Sequence, residues 1–334
     1  MAFLSIPAPR SGGILLTYKC SSACKHCLYA SSPSWPSDWL SVADAEFILR
    51  QWAHHLRASA EGGIGVNQGL HFTGGEPFLN FDLLLQVTAL ANQVGIPSTF
   101  VETNCVWCVD DETTRAKLCA LQEAGLGGIL ISANPFVVEH VPFERTRRAV
   151  RIGLQVFGRG LVVYQPVFYE HFRRMGLQGC LSFEEYMRHA GWGLQDAELL
   201  CGGRVAYKLG HLFRKQPAQR FFGSSCRREL IRDWHVHIDN YCNLVPGYCA
   251  GISLGDACDM DALSAVIDLR ERPVLSALLS NLGELHNLGQ AHGYQELDGY
   301  VSNCHLCIDI RRRLARLGSF DELRPLQFYE HLED

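Results

Sequence analysis

The chain has 334 residues, of which 47% are hydrophobic and 19% charged, and its formal net charge is -5. A chain of this length forms one large domain, or a large domain with a smaller one attached. The balanced, slightly acidic composition is that of an ordinary soluble globular protein and does not favour a nucleic-acid partner.

Membrane insertion and secretion are also disfavoured by the sequence. No run of about eighteen apolar residues is present to span a bilayer. The first residues, MAFLSIPAPRSGG, lack the basic start and the long apolar core of a signal peptide. We therefore expect a cytoplasmic protein. The 14 cysteines are many for a reducing compartment, so several of them are expected to ligate metal or to carry thiol chemistry.

Strand-like and helix-like stretches alternate through the first two hundred residues, which predicts βα units with parallel strands. Ser41 and Ser182 are the predicted N-caps of two of the helices. Such a series forms a full or partial barrel or a doubly wound open sheet, and in either fold the ligand site lies at the carboxyl ends of the strands. The predicted strands are 13–19, 68–73, 98–104, 127–134 and 160–168, with a weaker sixth strand that runs into a helix within 197–209.

The first predicted strand leads to Cys20, Cys24 and Cys27, which are spaced CxxxCxxC. Thiolates are soft ligands that suit zinc or iron-sulphur centres. Four thiolates close a structural zinc site or an ordinary iron-sulphur cluster, whereas three leave one coordination position open. The loop therefore predicts a metal centre that also binds a ligand from outside the protein.

The second predicted strand ends in TGGEP, residues 73–77. In this order and on these elements, the two motifs resemble the radical S-adenosylmethionine (SAM) superfamily, whose CxxxCxxC loop follows the first strand of a partial barrel. The resemblance covers most of the chain and implies an α/β fold with a partial (β/α)6 TIM-like barrel. It also implies that Cys20, Cys24 and Cys27 hold a [4Fe-4S] cluster whose fourth iron binds SAM, and that a flavodoxin or ferredoxin donates the electron.

The resemblance assigns further SAM contacts to the ends of the strands. Gly74 and Gly75 allow the backbone to approach the ammonium group of SAM, Glu76 accepts from that group, and Pro77 stiffens the exit. Strand-end Asn and Ser residues have an alternative role as caps of the helices that follow. Polar residues after strands three and four are expected to hold the ribose hydroxyls and the methionine carboxylate of SAM: Glu102, Asn104, Ser132 and Asn134.

The chemistry that the resemblance implies is radical chemistry. A reduced cluster passes one electron into the sulfonium of SAM, giving methionine and a 5'-deoxyadenosyl radical that removes a hydrogen atom from the substrate. Cys105 and Cys108 form a further CxxC directly after the third strand. One interpretation is a thiol that exchanges a hydrogen atom or a proton with the substrate radical, and the other is a pair of structural cysteines in a variable loop.

Four later cysteines, Cys226, Cys249, Cys304 and Cys307, follow the pattern of one cysteine, a hairpin, a second cysteine and a closing CxxC. This pattern resembles the twitch module, the shortened SPASM domain, which carries one auxiliary [4Fe-4S] cluster after a radical SAM barrel. The chain departs from that module at Cys242, where a glycine is usual, so Cys242 either replaces Cys249 as a ligand or is a bystander. Structural zinc is the alternative for these cysteines.

Two further stretches carry weaker predictions. The basic run RRRLARL, residues 311–317, predicts a solvated helix face. Gly203 and Arg204 resemble a Gly-Arg pair that lies near the last strand of several relatives and contacts adenine through its backbone.

The predicted domains are a SAM-binding partial barrel over 1–215, a smaller α+β auxiliary-cluster domain over 216–320, and a tail over 321–334. An auxiliary cluster with four protein ligands transfers electrons, which suits a substrate oxidation or an oxidative bond formation. The leading prediction is a radical SAM oxidoreductase that acts on a small molecule. The runner-up is a maturase of ribosomally made peptides (RiPPs) that uses a separate leader-binding protein. The alternative of another class is a non-catalytic iron-sulphur electron carrier or a zinc-stabilised binding module.

Overall fold

The structure is a computed structural model that describes residues 3–58, 64–259 and 267–334. Across these three ranges, every helix is too short or too polar to span a bilayer. The described chain divides into two compact units. We call them the barrel unit, residues 10–24 and 31–198, and the C-terminal unit, residues 3–9, 25–30 and 199–334.

The strands and helices have the following bounds. The strands are β1 (Phe3–Leu4), β2 (Ser11–Leu15), β3 (Gly69–Thr73), β4 (Thr99–Thr103), β5 (Gly128–Ser132), β6 (Leu161–Tyr164), β7 (Val236–Ile238), β8 (Leu244–Val245) and β9 (Ile267–Asp268). The α-helices are α1 (Val42–Trp52), α2 (Phe81–Gln93), α3 (Asp111–Glu123), α4 (Pro135–Val138), α5 (Phe143–Phe157), α6 (Pro166–Arg174), α7 (Phe183–Ala190), α8 (Val205–Lys208), α9 (Arg227–Leu230), α10 (Pro273–Ser280), α11 (Leu282–Ala291), α12 (Asn303–Ala315) and α13 (Gln327–Glu330).

The barrel unit contains the five strands β2 to β6, which pair in parallel in the order β6-β5-β4-β3-β2. At least one helix separates each strand from the next along the chain. The strand interiors are apolar and fully buried, as at Phe72, Phe100 and Ile129, which is typical of parallel strands with both faces covered. The predicted α/β class with a parallel sheet of βα units is confirmed.

The structure corrects the ends of two predicted strands and the prediction of a sixth strand. The first strand ends at Leu15 instead of residue 19. The fifth ends at Tyr164, because Pro166 begins α6, where a missing N–H and a fixed φ suit the first helical turn. The described stretch 197–209 contains no strand and turns at Gly203, whose φ is +51°.

The C-terminal unit combines short strands with helices. β7 and β8 form an antiparallel hairpin, as predicted, and β1 pairs antiparallel with β9. The predicted helical middle is present as α10 and α11, which pack against each other, and α11 also packs against α12. The part of that prediction that falls on 260–266 lies outside the described residues.

The compact units have different bounds from the predicted domains. The C-terminal unit contains 3–9 and 25–30 from the first predicted domain, its main segment begins at residue 199 instead of 216, and it includes the stretch predicted as a tail, 321–334. Leu323, Phe328 and Leu332 from this stretch are buried. The functions that the sequence assigns to the domains stay predictions.

Candidate functional site

The GGEP turn after β3 packs directly against the backbone that leads into the cysteine loop. The N–H of Gly75 donates to the carbonyl oxygen of Thr17 at 2.8 Å, and the N–H of Glu76 donates to that of Lys19 at 3.0 Å. A Cβ on Gly75 would lie 1.9 Å from the oxygen of Lys19, and one on Gly74, whose φ is +135°, would lie 2.3 Å from that of Thr17. Only glycine is compatible with this close approach. The two glycines therefore position the start of the cysteine loop.

Glu76 is fully buried and joins this turn to the end of β4. Its Oε1 accepts from Thr103 Oγ1 at 2.8 Å and from the N–H of Phe78 at 3.3 Å, and its Oε2 accepts from the N–H of Asn104 at 2.8 Å. Burial raises the pKa of Glu76 to about 7, although these hydrogen bonds act in the opposite direction. A carboxylate has about four lone-pair sites, so the three donors of the protein already occupy most of them.

Asn104, directly after β4, is buried against the cysteine loop. Its Nδ2 donates to Ser21 Oγ at 3.1 Å and to Ser22 Oγ at 3.4 Å. The same amide lies 3.6 Å from Cys20 Sγ, within the range of a hydrogen bond to sulphur. Its Oδ1 accepts from the N–H of Val106 at 2.9 Å. Asn104 thus connects the end of β4 to a predicted cluster ligand, and its predicted contact with SAM stays a prediction.

Glu102 is a second carboxyl group at the end of the sheet. It is half-buried, its Oε2 accepts from Thr73 Oγ1 at 2.7 Å, and its Oε1 lies 3.8 Å from His71 Nε2. Burial raises the pKa of Glu102 to about 7, with the hydrogen bond from Thr73 opposing the shift. Two carboxyl groups with raised pKa values at neighbouring strand ends are typical of a site that holds or moves protons.

Ser132 and Asn134 are the two predicted SAM contacts at the end of the fourth predicted strand. Ser132 is the half-buried last residue of β5. The Oδ1 of Asn134, which is buried, accepts from the N–H groups of Phe136 at 3.1 Å and Val137 at 3.0 Å. Asn134 is therefore the N-cap of α4, the role that the sequence analysis left as the alternative.

Cys105 and Cys108 are fully buried and hydrogen-bonded to each other. Burial first, and then the contact with Cys108, raise the pKa of Cys105 well above its ordinary value, so this thiol stays protonated at neutral pH. Arg148 Nη1 donates to the carbonyl oxygen of Cys108 at 2.6 Å, and Arg145 donates to that of Val106. The pair lies in the interior of the barrel unit, and its predicted exchange of hydrogen with a substrate stays a prediction.

Thr103 and Trp107 support the site, and the sequence analysis missed Trp107. Trp107 Nε1 donates to Thr103 Oγ1 at 2.9 Å. The Trp107 ring stacks on Phe78 with a centroid distance of 3.8 Å and an interplanar angle of 10°. The available signals were a polar residue at a strand end and a tryptophan in the loop after it, neither of which specifies a partner.

The three cysteines of the CxxxCxxC loop differ in burial. Cys20 and Cys24 are buried in the barrel unit, where the N–H of Cys20 donates to the carbonyl oxygen of Ser32 at 3.1 Å. Cys27 is half-buried and lies in the segment 25–30.

Gly203 and Arg204 hold the segment 25–30 within the C-terminal unit. The N–H of Arg204 donates to the carbonyl oxygen of Cys27 at 3.1 Å, and Nη2 of its fully buried side chain donates to that of Ala30 at 2.7 Å. A Cβ on Gly203 would lie 2.5 Å from the carbonyl oxygen of Cys27. The pair therefore positions the backbone at Cys27, and its predicted contact with adenine stays a prediction.

The C-terminal unit brings together all four cysteines of the second predicted set. Cys226 donates a hydrogen bond to Cys307, and the charges of Cys249 and Cys304 also act on this pair. The hydrogen bond from Cys226 lowers the pKa of Cys307 to about 6, and the nearby guanidinium of Arg311 lowers it too. Burial raises the pKa of Cys249 to about 12. A thiolate with three further sulphur atoms is a suitable donor set for a soft metal centre.

Of the two candidate ligands Cys242 and Cys249, Cys249 acts electrostatically on Cys226, and the replacement of Cys249 by Cys242 stays a prediction. Cys242 lies in the turn between β7 and β8, where its N–H donates to the carbonyl oxygen of Asp239 at 3.0 Å. Its φ is +60°, a left-handed conformation that costs a non-glycine residue about 1 kcal/mol. A glycine would adopt this conformation without strain.

Arg311 is a buried cation beside the four cysteines that the sequence analysis missed. It lies one helical turn after Cys307 on α12, and its Nη1 donates to the carbonyl oxygen of Ala250 at 3.0 Å and to Tyr329 Oη at 2.9 Å. The prediction that 311–317 is a solvated face is wrong at Arg311, because its guanidinium is buried and also hydrogen-bonds Cys307.

Comparison with known proteins gives one set of sequence relatives. No protein-family model matches the chain. PqqA peptide cyclases of three strains of Xanthomonas campestris pv. campestris (B100, 8004 and ATCC 33913) are each 26% identical over 215 residues, which is 60% of the chain. The CxxxCxxC loop, the GGEP turn and the parallel βα sheet agree with this similarity. The similarity agrees with the resemblance of these motifs to the radical SAM superfamily.

The chain spans about half, 53%, of the length of each of these peptide cyclases. Two solved structures are similar to the chain at low TM-scores. BtrN in complex with AdoMet and 2-DOIA has a TM-score of 0.43 at 11% identity, covering 83% of this chain and 89% of BtrN. Streptococcus suis SuiB bound to precursor peptide SuiA has a TM-score of 0.33 at 13% identity, covering 91% of this chain and 71% of SuiB.

Proposed function

We propose that this protein is a radical SAM enzyme that oxidises its substrate by two electrons, beginning with the removal of a hydrogen atom. The observation that carries the proposal is the set of four cysteines in the C-terminal unit, Cys226, Cys249, Cys304 and Cys307. An enzyme that only moved a hydrogen atom from substrate to SAM-derived product would have no need for a second redox centre.

The proposed cofactors are two [4Fe-4S] clusters and SAM. Cys20, Cys24 and Cys27 would hold the first cluster and leave one iron for SAM. When bound, the first cluster would supply the electron that cleaves SAM to methionine and a 5'-deoxyadenosyl radical. The auxiliary cluster would accept the electron that the substrate radical gives up.

Residues of the barrel unit position the start of the cysteine loop and hold protons at the strand ends. Gly75 and Glu76 fix the backbone before the cysteine loop, and Asn104 donates to the loop at Cys20. Glu102, with a pKa of about 7, is partly protonated at neutral pH. A half-buried carboxyl group in this state can take up or release a proton as the charge of the site changes during turnover.

Residues of the C-terminal unit would hold the auxiliary cluster. The four cysteines supply all the protein ligands that such a cluster needs. Arg311 places a buried positive charge beside them, which offsets the negative charge of four thiolates. A saturated cluster with a compensating cation suits electron transfer and leaves no iron for the substrate. Structural zinc is the alternative occupant.

The proposal is tested on protein reconstituted anaerobically with iron and sulphide. We expect two four-iron clusters by iron analysis and Mössbauer spectroscopy, and 5'-deoxyadenosine on reduction in the presence of SAM. Cys24→Ala should abolish deoxyadenosine formation and keep the auxiliary cluster, whereas Cys304→Ala should keep deoxyadenosine formation and lose the auxiliary cluster. Zinc at the second site, or full SAM cleavage by Cys24→Ala, would contradict the assignment.

Peptide maturation is the second candidate function, and the similarity to PqqA peptide cyclases favours it. The sequence-based prediction of a small-molecule substrate stays a prediction. The two are distinguished by supplying the reconstituted enzyme with extract of deuterium-grown host cells and following deuterium into 5'-deoxyadenosine. If the substrate is a peptide, protease treatment of the extract removes the deuterium transfer. If the transfer survives protease treatment and passes through an ultrafiltration membrane, the substrate is a small molecule.

A further inference from the structure

Two cysteines outside the proposed cluster sites lie close together in the C-terminal unit. The sulphur atoms of Cys242 and Cys258 are within 4.8 Å of each other, and both residues are half-buried. The backbone brings them together, because the N–H of Ala257 donates to the carbonyl oxygen of Cys242 at 2.8 Å and Asn243 forms an antiparallel bridge with Asp256. The N–H of Cys258 donates to the Oδ1 of Asp256 at 2.8 Å, which fixes the second cysteine.

The conformation of Cys242 is a second, independent observation. Its φ of +60° is one that glycine adopts without strain. The turn around it is held by the fully buried Asp239, whose Oδ1 accepts from the N–H of Tyr241 at 3.0 Å and from the N–H of Asn243 at 2.9 Å. A strained residue in a turn that the surroundings fix is often functional. Since glycine would form this turn more easily, the thiol is the property that distinguishes the residue present.

The thiol of Cys242 is accessible to small molecules. Cys242 lines an open groove of about 610 Å³ whose wall also contains Arg272 and Arg324. Arg324 lies 3.4 Å from Asp321, another residue of the groove. The groove is also lined by the carboxylates of Asp256 and Asp321, so it offers groups of both charges. Such a lining suits a low-molecular-weight disulfide that carries both carboxylates and ammonium groups, such as oxidised glutathione.

We propose that Cys242 and Cys258 are a redox-active dithiol that becomes an intramolecular disulfide by exchange with such a small disulfide. The Cys242 thiolate attacks one sulphur of the small disulfide, breaks its S–S bond and releases one small thiolate, which leaves a mixed disulfide on Cys242. The Cys258 thiolate then attacks the Cys242 sulphur and releases the second small thiolate. The two protein thiols lose two electrons and two protons in total, and the small disulfide is reduced to two thiols.

The sulphur atoms start within 4.8 Å of each other, and the bond requires a change of side-chain rotamer. A disulfide needs a sulphur–sulphur distance of about 2.05 Å, and rotation about the Cα–Cβ bonds moves each sulphur without moving the backbone. The four cysteines proposed as auxiliary ligands are a different set, so the disulfide does not depend on the proposed function.

The test treats the anaerobically reconstituted holoprotein with oxidised glutathione. The protein is then denatured in the presence of iodoacetamide, which alkylates the remaining free thiols, and its digest is analysed by mass spectrometry. We expect a peptide pair joined through Cys242 and Cys258 that retains no glutathione and is separated by dithiothreitol. Cys180, which is exposed, is the internal reference and should carry one glutathione. The iron content should be unchanged by the treatment.

Two variants identify the partners. In Cys258→Ser, Cys242 should retain one glutathione, because the resolving thiol is absent. Cys242→Gly keeps the turn, since glycine suits its φ, and should abolish the linked peptide pair. The proposal is overturned if wild-type Cys242 and Cys258 are recovered alkylated or with one glutathione each, or if the linked pair instead contains Cys249 and iron is lost. A protein that fails to cleave SAM but forms the Cys242–Cys258 link would contradict only the proposed function.

Discussion

The two candidate sites use different interactions to hold their cysteines. In the barrel unit, hydrogen bonds connect strand ends that are far apart in sequence: Glu76 accepts from Thr103 and from the N–H of Asn104, and the Asn104 amide donates to the cysteine loop. In the C-terminal unit, four thiols lie near one another with Arg311 as a buried cation beside them. The first site depends on close backbone packing and neutral hydrogen bonds, whereas the second depends on charge.

This difference determines which measurement responds to a substitution. A change at the barrel site moves the backbone that presents the cysteine loop, so it is expected to alter stability and cluster incorporation first. A change beside the four cysteines alters the electrostatic potential at a centre whose ligands remain in place, so it is expected to alter a reduction potential first. Four substitutions test this contrast.

The largest effect is expected for Gly75→Ala. The new Cβ would lie 1.9 Å from the carbonyl oxygen of Lys19, and neither backbone can move without breaking the hydrogen bonds of the GGEP turn. We expect a loss of about 3 kcal/mol or more in the free energy of unfolding, measured by urea denaturation, and less iron bound in the barrel unit. Gly223→Ala is the matched control, because its Cβ would have no neighbour within 4 Å, and it should change the free energy by less than about 0.5 kcal/mol. Equal stability of the two variants would show that the turn tolerates displacement.

Glu102→Gln is expected to change how stability depends on pH. Burial raises the pKa of Glu102 to about 7 from its ordinary 4.5, so between these pH values the folded state retains a proton that the unfolded state releases. The free energy of unfolding of the wild type should therefore fall as pH rises through this window, by up to about 3 kcal/mol from this group, and should level off above it. Glu102→Gln lacks this pH-dependent part of the free energy of unfolding. The corresponding part from Glu76 is present in both proteins and cancels when their curves are compared.

The measurement is urea unfolding of both proteins at several pH values from 4.5 to 8. Glu123→Gln, at the exposed end of α3, is the control and should follow the wild-type curve. Curves for the wild type and Glu102→Gln that stay parallel across the window would contradict the raised pKa.

The cysteine patterns of both candidate sites are visible in the sequence, whereas the residues that support them are not. Local signals were sufficient for the alternation of parallel strands with helices and for the caps at Ser41 and Ser182, since each depends on neighbouring residues. The contact of Gly75 with Lys19 depends on which strands become neighbours, and one chain does not reveal this. Arg311 stands in a run of three arginines that is typical of a solvated face, and only the packing of α12 shows that it is buried.

Arg311→Gln tests the role of charge at the second site. Removing a buried positive charge beside the auxiliary ligands makes the reduced state of a bound cluster less favourable. We expect the reduction potential of that cluster to fall by roughly 50 mV, equivalent to about 1 kcal/mol for one electron, in a redox titration followed by electron paramagnetic resonance. Arg312→Gln is the control, because that side chain is half-buried and pairs with Glu333. A variant that keeps its iron and its wild-type potential would show that the guanidinium serves packing alone.

Asn104→Ala is expected to have the smallest effect, at the other cluster. The substitution removes a donor that lies 3.6 Å from Cys20 Sγ, and a hydrogen bond to a ligand sulphur stabilises the reduced, more negative cluster. Because hydrogen bonds to sulphur are weak, we expect the potential of the SAM-binding cluster to fall by roughly 20 mV, on the order of 0.5 kcal/mol. Asn134→Ala is the matched control, since Asn134 is also a buried residue that follows a strand but its side chain caps α4. If both variants shift the potential equally, the effect comes from loosened strand ends and the Asn104 amide has no specific role at Cys20.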